Sequence, residues 1–213
     1  KATEQEIHDT IKVRGGEDWK DWMTALNEAG VLAENTVTVA YSYIGPKLTY
    51  PMYHKGTLGA AKAHLLKTAQ EMTKEFSNVN AYVSVNKALV TQASAAIPVV
   101  PLYIALLYRI MEKKQIHENA IEQIARMYQE KLFVDTPVLD QTGQIRMDDW
   151  ELREDVQSEI EAFWEKLYAH EITDFSYIDE YWVAFRQLFG FDLPNIDYSK
   201  DVNPNVAIPS IKD

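Results

Sequence analysis

Residues 36–70, TVTVAYSYIGPKLTYPMYHKGTLGAAKAHLLKTAQ, and residues 79–98, VNAYVSVNKALVTQASAAIP, decide the fold. The first opens on TVTVAYSY (36–43), β-branched and aromatic, which predicts a buried, parallel strand. Gly45-Pro46 ends it. A helix follows over 57–77, with Leu58, Ala61, Leu65, Ala69, Met72 and Phe76 along one side. NAYVSV (80–85) is the second strand. In an open α/β sheet, ligands bind outside the carboxyl ends of the strands. Both loops here leave such ends, so the candidate site lies where they meet.

Outward from this centre the chain is helical. Residues 1–14 form a polar helical lead-in, broken by Gly15 and Gly16. Trp19, Trp22, Met23 and Leu26 then recur at helical spacing before Gly30, and both tryptophans are expected in the core. After Ile97-Pro98 and Val100-Pro101 comes a helix over 102–114, with Tyr103, Leu106, Leu107, Ile110 and Met111 on its apolar face. Another covers 117–132, with Ile121, Ile124, Ala125 and Tyr128 inward. VLDQTGQIRM (138–147) reads as a hairpin around Thr142-Gly143. Asp148-Asp149 is expected to open a helix over 150–168, and a last helix spans 179–189. The Pro-containing tail from Asp192 should lie on the surface. Three segments follow: a helical lead-in (1–35), an α/β segment (36–135), and a hairpin with C-terminal helices (136–213). Two parallel strands make a poor sheet alone, so the pattern reads as the second half of an α/β protein.

Composition narrows the function. The net charge of −11 argues against nucleic-acid and anionic-membrane partners, which need clustered Lys and Arg. The absence of cysteine excludes disulfides, thiolate chemistry and cysteine zinc sites. No apolar run is long enough to span a membrane, and a cytoplasmic protein is the simplest reading.

The chemistry-bearing candidates sit in the two loops. Tyr53 and Lys62 have eight residues between them. A lysine ammonium near a tyrosine favours the phenolate and lowers its pKa, which suits proton transfer, and it can also bond sugar hydroxyls. Among 12 tyrosines such a spacing is common, so the pair alone is weak evidence. It does impose a geometric demand. At ~100° per residue, nine steps put the two on opposite faces of one helix, so Tyr53 must precede the helix that carries Lys62. Gly56-Thr57 is the expected break, with Thr57 as N-cap. Tyr41 and Tyr43 share a strand face, and either one reaches a substrate or both pack. Leu89, Val90 and Thr91 offer backbone groups to a flat amide-bearing ring and a hydroxyl to a phosphate. The acids Asp148, Asp149 and Glu151 read as a solvated helix start rather than a metal site, and the histidines show no metal spacing.

Beyond this local reading, YSYIGPKLTYPMYHKGTLGAAKAHL (41–65) resembles the active-site segment of the trans-2-enoyl-CoA reductases and the FabV-type enoyl-acyl-carrier-protein reductases. GGEDWKDW (15–22), AYVSVNKALVTQASAAIPVVPLY (81–103) and RMDDWELREDVQ (146–157) are similar to other segments of that family. The resemblance implies a Rossmann-type, short-chain-dehydrogenase-like domain with added substrate-covering helices, monomeric when complete. It implies NADH-dependent reduction of the C2–C3 double bond of a trans-2-enoyl thioester, carried on coenzyme A or acyl carrier protein. Tyr53 would be the proton donor, Lys62 the ribose-binding and orienting residue, Tyr43 the substrate contact, and Leu89, Val90 and Thr91 the nicotinamide segment. Family members are about twice as long, with the Gly-rich dinucleotide loop in their N-terminal half, so the chain is expected to need that half as a partner. A region from Trp150 on resembles a segment described as flavin-binding, but it holds no phosphate loop and no flavin is expected. The competing expectation is a non-catalytic helical module that keeps the fold only to bind a partner.

Overall fold

A computed structural model describes residues 1–97, 99–169 and 177–205, without the side chains of Met52 and Tyr177. Part of the expected Ile97-Pro98 break and the end of the tail therefore lie outside the described residues. The elements run α1 (Glu4–Arg14), α2 (Glu17–Glu28), β1 (Thr36–Ser42), α3 (Tyr50–Tyr53), α4 (Thr57–Glu75), β2 (Val79–Val85), α5 (Val100–Lys113), α6 (Ala120–Arg126), β3 (Ile145–Arg146), α7 (Glu154–Tyr168) and α8 (Tyr177–Gln187). None of the described helices is long and apolar enough to cross a membrane.

The sheet has the order β1-β2-β3, and both pairings are parallel. β1 and β2 run in register from Thr36 opposite Val79 to Ser42 opposite Val85. Parallel pairing needs a crossover, and α4 supplies it. Strand alternation then sorts the side chains. Val79, Ala81 and Val83 face Ala69 and Met72 of α4 and Met23 of α2. Val37, Val39 and Tyr82 face Met127, Leu132 and Met147 on the other side. Both faces are covered, as a parallel sheet requires. A third and larger core surrounds α5, where Tyr103, Ile104, Leu107 and Met111 meet Val156, Ile160 and Trp164 of α7 and Tyr181 of α8.

Several expectations are corrected. β1 is half-buried rather than buried, because its outer edge has no strand partner among the described residues. Trp19 packs inward and donates from its indole N–H to Thr38 Oγ1 at 2.9 Å. Trp22 is instead 70% exposed, since Met23 takes the inward position on α2. The expected hairpin is a turn without its antiparallel strands. The Asp140 carboxylate accepts from the amides of Thr142 and Gln144 at 2.8 and 3.0 Å, which makes the turn. Residues 145–146 then pair parallel to β2, because Ile145 and Met147 are fully buried against the sheet. Asp148 opens only a short turn, and α7 begins at Glu154.

The region after α5 is turned differently from its apolar periodicity. Ile121 is 74% exposed and Tyr128 is also exposed, while Gln123, Arg126 and Met127 are buried. Two causes combine. The helix widens into a π-helical turn over Met127–Leu132, which rotates the face it presents. Arg126 is also held inside by its partners. Its guanidinium makes two bonds to Glu118 at 2.7 and 2.8 Å, contacts Asp149 at 3.0 Å and the Met147 carbonyl at 3.0 Å, and lies 4.0 Å from the Trp150 ring centroid. Removing one member of such a pair strands the buried Glu118 charge. Arg126→Ala is therefore expected to destabilise the chain by about 3–5 kcal/mol in urea unfolding. A loss under about 1 kcal/mol would mean that the ion pair does not hold this face inward.

Candidate active site

The two loops at the carboxyl ends of β1 and β2 enclose a cleft of about 570 Å³. Its walls bring together Tyr43, Tyr53, Lys62, Leu89 and Thr91, with Tyr41 and Tyr103 alongside. Val90 alone among the expected residues turns away from the cleft. It is buried, and its N–H donates to the Tyr108 hydroxyl at 2.9 Å.

The backbone explains this convergence. Gly45 stands at φ +73°, in the left-handed region that favours glycine, and a Cβ there would lie 2.6 Å from the Tyr43 hydroxyl oxygen. That close approach lets the chain turn sharply beside Tyr43. Tyr53 then ends the short helix α3, and α4 begins at Thr57. The break demanded by the Tyr–Lys spacing is present. Its cap differs from expectation, because Gly56 is the N-cap and Thr57 already belongs to the helix. Gly59 allows the two helices to meet, since a Cβ there would overlap the His54 carbonyl.

The Lys62 ammonium donates to Ser42 Oγ at 3.3 Å and lies 5.8 Å from the Tyr53 ring centroid. It stands over the Tyr53 ring, where a cation meets the electron-rich face. Burial, with the like charge of Arg14 adding to it, pulls the Lys62 pKa down to about 8. Burial pushes the Tyr53 phenol up, which corrects the expectation that the lysine lowers it. A raised pKa keeps Tyr53 neutral and able to donate its proton at neutral pH. Arg14 also lines the cleft, although its position at the end of the helical lead-in gave no sequence signal.

Tyr43 meets Tyr53 edge to face, with ring centroids 4.9 Å apart. Its hydroxyl donates to Glu151 Oε1 at 3.0 Å. Glu151 is fully buried and accepts two further bonds, from the Tyr103 hydroxyl at 2.6 Å and the Ala88 amide at 2.7 Å. It is thus no part of a solvated helix start. Asp148 is equally buried and is paired with Arg146 at 2.6 Å. Among the described residues no group of three or more His, Cys, Asp or Glu is placed to hold a metal. The apolar neighbours Trp150 and Leu152 were the available hint that these acids turn inward.

Beside the cleft, Lys87 is buried, with its ammonium on the Ala88 carbonyl at 3.2 Å and 4.7 Å from the Tyr108 ring centroid. Burial lowers its pKa to about 8 as well. Thr91 and Ser94 bond reciprocally: Thr91 N–H donates to Ser94 Oγ at 3.0 Å, and Ser94 N–H donates to Thr91 Oγ1 at 3.2 Å. This fixes the loop while leaving the Thr91 hydroxyl proton for another acceptor.

A lysine with a lowered folded pKa carries a burial cost while it is charged in both states. That cost fades as pH rises from about 8 towards the ordinary 10.5, where the unfolded chain binds more protons than the folded one. Lys62→Met keeps the stem and removes the charge. Its stabilisation relative to the parent should be largest below pH 8 and should shrink towards pH 10, read as urea midpoints across pH. A difference independent of pH would show that Lys62 is not held in a desolvated site.

Residues 1–133 match the family model described as the trans-2-enoyl-CoA reductase catalytic region. Residues 139–202 match one described as the enoyl reductase FAD binding domain. An enoyl-[acyl-carrier-protein] reductase [NADH] of Cytophaga hutchinsonii is 52% identical over 213 residues, 99% of this chain and 54% of that protein. A trans-2-enoyl-CoA reductase of Euglena gracilis is 48% identical over 211 residues, 98% of this chain and 39% of that protein. The crystal structure of Treponema denticola trans-2-enoyl-CoA reductase in complex with NAD superposes with a TM-score of 0.87 at 45% identity, covering 94% of this chain and 51% of that one. The chain thus spans about half the length of the first of these curated relatives. Residues 139–202 hold two glycines, Gly143 and Gly190, and no Gly-rich phosphate loop. The match over the helical lead-in, β1, β2 and both loops of the cleft establishes that the chain belongs to the trans-2-enoyl-CoA reductase family.

Proposed function

We propose that the chain is the C-terminal, catalytic half of an NADH-dependent reductase of trans-2-enoyl thioesters, carried on coenzyme A or acyl carrier protein. The observation that carries this reading is the convergence of Tyr43, Tyr53 and Lys62 on one cleft, with Leu89 and Thr91 on its wall. A binding module would have no need of that combination. The open edge of β1 suits a Rossmann-type sheet continued by strands of an N-terminal half, and the half-length match to relatives supports the same view. In this reading residues 1–35 cover the sheet, 36–135 complete the dinucleotide domain, and 136–213 close over the substrate.

The cleft suits the nicotinamide end of a dinucleotide. It has the size of a small-molecule site. The Lys62 ammonium has three donors and bonds one protein hydroxyl, which leaves donors for ribose hydroxyls. Leu89 and Thr91 line the wall against the nicotinamide, and Val90 between them is held away from it, its amide fixed by Tyr108. The bound cofactor supplies the hydride that adds to C3 of the enoyl thioester. As that bond forms, the π electrons move towards the thioester oxygen, and an enolate develops. Tyr43 and Tyr53 hydroxyls at the cleft meet this charge, where preorganised donors act most strongly. C2 then takes up a proton, supplied from Tyr53, and the saturated thioester results.

Tyr53→Phe in the full-length enzyme removes the proton donor and leaves the ring. It should lower kcat by about 10²–10⁴ while the unfolding midpoint stays close to that of the parent. Near-normal turnover by Tyr53→Phe would remove Tyr53 from the reaction.

A further inference from the structure

Glu151 stands behind the cleft, not in its wall, yet it holds a residue of that wall. Both Tyr43 and Tyr103 donate to the same oxygen, Oε1, and the Ala88 amide donates to the other, Oε2. A phenol has one proton. In this arrangement the proton of Tyr43 is committed to the carboxylate, and its oxygen can only accept on the cleft side. Yet the proposed chemistry asks Tyr43 to donate to a developing oxyanion. The conflict is resolved by one proton on Glu151. A neutral carboxyl keeps Oε2 as the acceptor of the Ala88 amide and carries its proton on Oε1, facing the two phenols. When that proton is donated to the Tyr43 oxygen, the Tyr43 hydroxyl proton is released towards the cleft.

We infer that Glu151 is a positioning residue whose protonation sets the direction of the Tyr43 hydrogen bond, so that the neutral carboxyl makes Tyr43 a donor to the substrate and the carboxylate withdraws it. This rests on the reductase reading above and extends it to the regulation of that site. The proton is conserved throughout: it moves between solvent and Oε1, and the tyrosine changes only the bond in which it donates. The surroundings favour the neutral form, since burial raises the Glu151 pKa against the pull of its hydrogen bonds and of Lys87. Tyr43 and Tyr103 are likewise pushed well up, chiefly by burial, and remain neutral. The other ionisable groups near this cluster are Tyr53 after β1, Lys62 of α4, which burial lowers to about 8, Lys87 after β2, and Tyr108 of α5, which burial raises to about 12. Gln157 of α7 bonds the Glu151 carbonyl at 2.6 Å and holds its backbone.

The test uses the full-length enzyme and reads kcat with a saturating enoyl thioester from neutral to alkaline pH. In Glu151→Gln the Ala88 amide selects the amide oxygen, which turns the NH₂ group towards the phenols as a fixed mimic of the neutral acid. The parent should lose kcat on an alkaline limb, by about tenfold per pH unit at its steepest. Glu151→Gln should retain turnover and change that limb, leaving only the loss that the Lys62 titration at about 8 produces. Tyr43→Phe, which has no proton to redirect, should be slower than the parent and should likewise keep only the Lys62 limb. Adding Glu151→Gln to Tyr43→Phe should then change the profile no further. An active parent whose alkaline limb persists unaltered in Glu151→Gln overturns the role of Glu151 alone. A full-length parent that reduces no enoyl thioester at any pH overturns the reductase reading, and this inference with it.

Discussion

A carboxyl group with no exposed surface must find its hydrogen bonds inside the protein, and Glu151 finds them on three different elements. Tyr43 comes from the end of β1, Ala88 from the loop after β2, and Tyr103 from α5. Burying that group without partners would cost several kcal/mol, so each donor is held where Glu151 needs it. Residues 1–133 and 139–202, which match two separate family descriptions, are joined by these bonds. The loop that precedes α7 thus fixes a wall of the cleft built by the sheet. Arg126 repeats the logic lower down, tying Glu118 to Asp149 across the same boundary.

The sheet supplies the second constraint. Parallel strands need cover on both faces and neighbours on both sides. α2 and α4 cover one face, and Met127, Leu132 and Met147 cover the other. β3 closes one edge with two residues, and the outer edge of β1 remains without a strand among the described residues. The cleft stands at the carboxyl ends of β1 and β2, where the crossover leaves room for a ligand. Lys62 reaches it from α4, partly desolvated and lightly bonded, and Tyr53 reaches it from outside that helix.

Much of this was legible because local rules and tertiary demands coincide. The β-branched runs of β1 and β2, the Gly45-Pro46 turn and the break before α4 each have a local cause. The Tyr53–Lys62 spacing cannot work on one helix, and the chain indeed interrupts it. Where the reading failed, buried polar groups or unseen neighbours had intervened. Gln123 and Arg126 look like surface residues, but ion pairing draws Arg126 inward and a π-helical turn shifts the face. Glu151 looked like one of several acids at a helix start, because its donors lie 108, 63 and 48 residues away. β3 looked like half of a hairpin, since periodicity cannot tell which strand a short apolar pair will join. Tyr53 was expected to be acidified by Lys62, whereas the ammonium lies over the ring and burial dominates. The roles of Tyr43, Leu89, Val90 and Thr91 rest on family resemblance, because a lone tripeptide or tyrosine carries no specificity.

The most direct test of the account is NADH oxidation with crotonyl-CoA, a short trans-2-enoyl thioester, by this chain alone and by this chain combined with the N-terminal half of the enzyme. The account predicts turnover only in the combination, because it assigns the nicotinamide end of the site to this cleft, and the sheet is open at β1 among the described residues. No turnover from two folded and associated halves would contradict the reductase assignment. Turnover by this chain alone would contradict the claim that the cofactor site is completed across that open edge.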